Sequence, residues 1–403
     1  MMRWLLSLPM WLGYAAASPA APSDFPEVHF RDPPHSYWSR KPADAFARRT
    51  EATQNALAPA LGGSPAALQT LLETLGIPVT SQLWVYSATS LQSGLIRPAN
   101  PRALYFNHEL YVGFVPDGRL EVAAIDPEMG PVFYLVESRG AAPVQVSRST
   151  RCMNCHASQT TERVPGLFAE SVLVNTTGAS LDGFRRGLVG HTLPIPERLG
   201  GWHVTGAPPS AKHLGNLLAE SRPGGYASFP NPPGAHFAPH RYPVQSSDFL
   251  AHLIHEHQIG FHNLVTLAVY HARENRENRQ DVLQKIALRL VRYVLFQNEA
   301  PLPPGGITPD PAFVRDFLRG AHRTPEGASL RELDLKTRLF SKRCSYMIHT
   351  PSFAALPEDF LQPFREALEK ALRIQNAPAE FDYLPADEKK AIRSILRQTR
   401  ILP

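Results

Sequence analysis

The sequence predicts an α+β fold that is mainly helical, with a small antiparallel sheet in its first half and long Pro/Gly-rich loops. Three observations carry this. Between residues 83 and 137, β-branched and aromatic runs of about five residues recur, bounded by Asn, Asp, Gly and Pro, as in strands joined by tight turns. From residue 246 onward, apolar positions recur at helical spacing. Proline makes up 39 of the 403 residues, which predicts ordered, irregular connections rather than a regular bundle.

In order along the chain, Met1, Met2 and Arg3 precede an apolar run over 4–17 that ends in small residues. One positive charge, a short apolar core and an Ala-rich exit describe a secretory signal peptide, with cleavage near Ala17 or as late as Ala20. No later run reaches the roughly 20 apolar residues of a membrane span, so no stable membrane insertion is expected after cleavage. Residues 20–42 are Pro-rich and irregular. An amphipathic helix is expected over 42–58, and a second over 65–75, with Ser64 as N-cap, Pro65 at its first position and Gly76 as its stop. Strands are expected at 83–87, 103–107, 110–115, 120–125 and 132–136. A short helix follows at 149–157, then a strand at 171–175. The segment 191–216, punctuated by Gly, Pro, aromatic residues and histidines, suits either a loop over a flat ligand or a Pro-fixed surface loop. Residues 223–243 read as a second long connection. A strong helix runs from 249 to 268 behind Ser246 or Ser247, with Gly260 as a possible kink and His252, His255, His257, His262 and His271 along it. Further helices are expected over 282–296, 311–318, 363–374 and 386–396. The division is a leader over 1–17, helices plus sheet over 18–145, and a mainly helical region over 146–403 integrated with it.

One stretch carries chemistry. Cys152-Met153-Asn154-Cys155-His156 reads CxxCH and occurs once. Two cysteines three apart lie on one side of a helical turn, where both sulfurs reach the edge of one porphyrin. The histidine that follows lies beneath the ring, with an imidazole nitrogen toward the metal. Covalent attachment of haem c by Cys152 and Cys155, with His156 as proximal iron ligand, is therefore the expected chemistry, and it agrees with an exported, periplasmic chain. A thioredoxin-like pair has no use for the trailing histidine. A zinc site needs a fourth ligand, and no second CxxC or HxxxH-type pair lies nearby. A disulfide across CxxC is strained. Cys344 is left over and reads as a buried thiol.

The iron's sixth ligand decides between electron transfer and an open catalytic position. The sequence offers His262, His257, His213, His191 and Met347, and no single one stands out. His257 and His262, five apart, do not share a helical stripe unless Gly260 interrupts the helix. No carboxylate pair, phosphate loop, GxSxG or HExxH motif points to another reaction, and a single CxxCH disfavours a di-haem peroxidase. A formal net charge of +5 without a Lys/Arg block suits an acidic redox partner and gives no signal for nucleic acid.

Several segments add a resemblance. Residues 102–107 with 111–113, 152–157 with 164–166, 191–206 (containing GGWxVTG), 213–216 (HLGN), 256–258 with 262–264 (EHQ and HNL) and 343–348 resemble a family of exported, largely uncharacterised bacterial monohaem cytochrome c-like proteins. His203 stands where relatives carry Tyr. The resemblance spans most of the chain and implies haem binding and a redox role. The expected function is thus a periplasmic monohaem cytochrome that transfers single electrons. The alternatives are a haem enzyme or sensor with an open sixth position, and a non-haem interaction protein that uses CxxC as a disulfide or metal site.

Overall fold

The computed structural model describes residues 10–13, 25–138, 143–183 and 190–403. Its strands are β1 (Met10–Gly13), β2 (Leu83–Val85), β3 (Arg102–Phe106), β4 (Leu110–Phe114), β5 (Leu120–Asp126), β6 (Gly130–Glu137), β7 (Gln145–Arg148), β8 (Val172–Val174), β9 (Ser180–Gly183), β10 (Trp202–His203), β11 (Leu217–Arg222) and β12 (Gly225–Pro230). Seven of them form one antiparallel sheet in the order β10-β2-β3-β4-β5-β6-β7. The meander from β3 to β6 is set by its turns. Asn107 Oδ1 accepts from the Glu109 and Leu110 amides, and Asp126 Oδ1 accepts from those of Glu128 and Met129. Such local side-chain acceptors are what make Asn and Asp turn residues.

The sheet is wider than the sequence suggests, because β7 and the two-residue β10 extend its edges. The connection expected over 223–243 also differs. Residues 217–230 fold as the β11–β12 hairpin around Pro223 and Gly224, and β1 lies along its outer edge. The leader expected over 1–17 lies outside the described residues apart from this β1 segment.

The helices are α1 (Ala45–Leu61), α2 (Pro65–Thr74), α3 (Met153–His156), α4 (Phe249–Arg273), α5 (Arg279–Val294), α6 (Pro311–Arg319), α7 (Pro351–Ala354), α8 (Glu358–Ala371) and α9 (Ala386–Gln398). α4 is the axis of the molecule. Every residue of it except Asn263 and Arg273 is buried, its histidines, Glu256 and Gln258 included. Asp248 caps it, its side chain accepting from the Leu250 and Ala251 amides. On one flank α4 meets the sheet: the Tyr270 hydroxyl donates to the Met129 carbonyl, and Gly130 at the start of β6 adjoins Thr266, where a Cβ would come within 2.5 Å.

On the other flank α4 meets α5, and there Gly260 has a different purpose from the expected kink. The helix runs through it unbroken. A Cβ at Gly260 would lie 2.2 Å from the Tyr293 hydroxyl, which donates to the His257 carbonyl at 2.8 Å. The glycine is a crossing point for α5. One hydrophobic cluster extends from Val28 to Leu402 through sheet and helices alike. Among the described residues, no helix is long and apolar enough to cross a membrane.

Candidate haem site

The Cys152–His156 stretch forms a single helical turn on the sheet side of α4. The His156 amide donates to the Cys152 carbonyl at 2.9 Å, closing the turn. The chain then doubles back through Val164, Pro165 and Gly166. Gly166 is bonded to His156 twice: its amide donates to the His156 carbonyl at 2.7 Å, and its carbonyl lies 2.9 Å from His156 Nδ1. A carbonyl only accepts, so Nδ1 carries the proton and the lone pair is on Nε2. A Cβ at Gly166 would strike Thr161 at 2.6 Å and meet Asn263 Oδ1 at 3.0 Å, so this position has no room for a side chain. Asn263 of α4 completes the clamp, with Oδ1 accepting from the Leu167 amide and Nδ2 donating to the Leu167 carbonyl.

The His156 ring is held between Phe133 of β6, 4.3 Å away by centroids and tilted 39°, and Phe168, 4.5 Å away and nearly parallel. This enclosure pushes its pKa down to about 4, chiefly through desolvation, so the imidazole is neutral at ordinary pH. Part of its surface still opens on a cavity of about 670 Å³ whose wall also includes Cys152 and Cys155. That volume falls within the roughly 300–1,000 Å³ of small-molecule and cofactor sites. Cys155 is exposed and Cys152 half-buried, with burial raising the Cys152 thiol pKa.

The sheet explains the cavity's floor. Register places Phe106, Tyr111, Ala123 and Phe133 side by side across β3, β4, β5 and β6, and Leu104, Gly113, Glu121 and Leu135 in the neighbouring row. Residues paired across strands, or two apart along one, share a face. On this face the β4–β5 pairs are Tyr111–Ala123 and Gly113–Glu121, so each row has one small residue in its middle that leaves room above the sheet. Trp202, Ile259 and His255 line the same cavity.

His255 was not among the histidines singled out from sequence. It is 3% exposed, and its ring makes no hydrogen bond to the described residues. It rests instead on Phe106 at 5.1 Å, Tyr111 at 5.7 Å and Trp202 at 6.0 Å. Burial lowers its pKa to about 3, and the nearby Arg102 guanidinium adds to the effect, as it does for His156. Arg102 pairs with Glu121 at 2.9 Å, yet Arg102 Nε and Glu121 Oε1 are both buried without a hydrogen-bond partner. Both residues line the cavity, so its polar capacity is only partly used.

The five sixth-ligand candidates read from sequence lie elsewhere. His191 and His257 contact each other, Nδ1 to Nδ1 at 2.9 Å, and His257 Nε2 bonds the Ser345 hydroxyl at 2.7 Å. His262 Nε2 donates to the His108 carbonyl, and His213 Nδ1 accepts from the Gly215 amide. Met347 is in the core. None of the five lines the cavity. Of the 191–216 segment, Trp202 is the residue that reaches it. His255 is four residues from Ile259 and so shares a stripe of α4 with it, but that spacing does not single it out among the five histidines of the helix. Cys344 is fully buried among apolar groups, and burial raises its thiol pKa.

The residues present suit a haem. The fit consists of an oriented imidazole with a free Nε2, two thiols on the same rim, a largely apolar pocket of adequate volume and an Arg102 Nε without an acceptor. Among the described residues, no three His, Cys, Asp or Glu side chains converge as a metal-binding group, and a porphyrin, which brings its own four nitrogens, needs no such group. No family model, curated protein or solved structure matches this chain.

Proposed function

We propose that this chain is an exported monohaem c-type cytochrome that passes single electrons. The observation that supports it most is the His156–Gly166 pair, which fixes the protonated nitrogen and leaves Nε2 free beside Cys152, Cys155 and the cavity. A backbone carbonyl that accepts from the other ring nitrogen is a usual means of orienting a ligating histidine. Bound haem would supply a one-electron couple at iron. Cys152 and Cys155 would each hold it by a thioether, the S–H adding across a vinyl group, with sulfur bonded to one carbon and hydrogen to the other. No outside oxidant is needed for that addition. Phe133, Phe168 and Leu167 would exclude water from the proximal side. Arg102 would place its unused Nε–H toward an acidic substituent of the ring, and exposed Cys155 marks the edge nearest solvent and an acidic redox partner.

The test is expression in a host with cytochrome c maturation, followed by denaturing electrophoresis with a haem stain. The reading predicts one haem that stays with the denatured chain and is lost in a Cys152→Ala/Cys155→Ala variant. A wild-type chain without covalent haem would refute it.

A further inference from the structure

Resting on the haem reading above, we infer that His255 is the second axial ligand of the iron, so that the haem is held between two histidines. His156 and His255 are the two histidines that line the cavity. They stand over one cross-strand row, His156 against Phe133 on β6 and His255 against Phe106 on β3 and Tyr111 on β4, with Ala123 of β5 between Tyr111 and Phe133. β4 and β6 are two strand spacings apart, about 10 Å, and between Tyr111 and Phe133 the floor rises only by the Ala123 methyl group. A flat group standing on Ala123 would have one imidazole on each side.

Three further observations agree. His255 makes no hydrogen bond to the described residues and lines the cavity, so its imidazole is available to a partner there. Arg102 lines the same cavity as both rings. The backbone that carries His255 is rigid: α4 is buried along nearly its whole length and is clamped to the proximal loop through Asn263. One helix thus positions the distal histidine and, two turns on, braces the proximal one. An axial pair of histidines closes the iron to exogenous ligands and favours electron transfer over catalysis at an open position.

The experiment uses the matured holoprotein. In the wild type, the ferric near-infrared magnetic circular dichroism should show the low-spin signature of two axial imidazoles, and carbon monoxide should leave the reduced spectrum unchanged on mixing. His255→Ala should convert the haem to a high-spin form that binds carbon monoxide at once, and added imidazole should restore the low-spin spectrum. His255→Met, which fills the same space, should turn the wild-type signature into that of a histidine/thioether pair. Covalent haem that is high-spin in the wild type, or an unchanged spectrum in both variants, overturns the assignment and leaves the cytochrome reading intact. A wild-type chain without covalent haem overturns both. The wild-type spectrum alone decides if a variant fails to fold.

Discussion

Replacing Ala123 with leucine tests whether the cavity is the seat of the haem. Ala123 lies in the middle of the row Tyr111–Ala123–Phe133, and its methyl faces the cavity of about 670 Å³. Leucine adds three carbons at a strand position with open space above it. At about 0.8 kcal/mol per buried methylene, the haem-free chain should gain up to about 2 kcal/mol if the added group packs against Tyr111 and Phe133. The same group would stand where the macrocycle must sit, so haem attachment should fall at least about tenfold, a barrier of only 1.4 kcal/mol. Urea unfolding of the chain made without cytochrome c maturation measures the first effect, and haem-stained gels of the matured chain measure the second. Wild-type haem content in Ala123→Leu would refute the cavity as the binding site. A haem-free variant destabilised by more than about 1 kcal/mol would show that the space over β5 is not open.

Three other outcomes follow from the packing. Gly260→Ala should destabilise by about 1–3 kcal/mol in urea unfolding, because its Cβ would displace the Tyr293 hydroxyl from the His257 carbonyl; a gain, as expected for alanine in an unobstructed helix, would contradict the crossing. Asp248→Ala should cost about 2–4 kcal/mol, since Oδ1 caps α4 and Oδ2 accepts from the Asp310 amide at 2.8 Å. Asp248→Asn keeps an acceptor for the cap and should fall between alanine and wild type; a loss equal to alanine's would mean the cap contributes nothing. Acid should destabilise the haem-free chain early. His252 and His262 are buried with pKa values lowered from 6.5 to about 3, so the unfolded chain takes up protons that the folded one refuses. Their stabilisation is complete above pH 6.5 and is lost as pH falls from 6.5 toward 3, by about 3 kcal/mol per unit for the two together. Chemical denaturation at pH 7, 6 and 5 reads this slope, and a flat profile would show that these rings are not held neutral.

The elements that could be read from sequence were those with strong local signals. The meander 102–137 combines β-branched and aromatic runs with Asn107, Asp117 and Asp126 at its turns, and the structure puts strands there. Helix α4 announces itself by its apolar periodicity. The β11–β12 hairpin was hidden because Arg222-Pro223-Gly224-Gly225 marks a turn while the flanking LLAESR and GYASFP segments have weak strand character. Pro363 misplaced the start of α8, which begins at Glu358 and contains that proline; read as a first helical position, it hid the turn before it.

The site divided along the same line. CxxCH is local, so Cys152, Cys155 and His156 could be named at once. The cavity is not local. It depends on the register that sets Gly113 and Ala123 between Tyr111, Phe133 and Leu135, and on α4 crossing that face with His255 downward. Nothing in the order of residues distinguishes His255 from four other histidines on the same helix. Only the strands beneath it do.

The central claim is that one haem is bound covalently and fixed by His156. The most direct measurement is the intact mass of the matured wild-type chain under denaturing conditions, beside the Cys152→Ala/Cys155→Ala variant. The account predicts a wild-type mass higher than that of the polypeptide by one haem, and a variant mass equal to that of the bare polypeptide. A wild-type chain at the bare polypeptide mass, produced in a host that matures other c-type cytochromes, would contradict it.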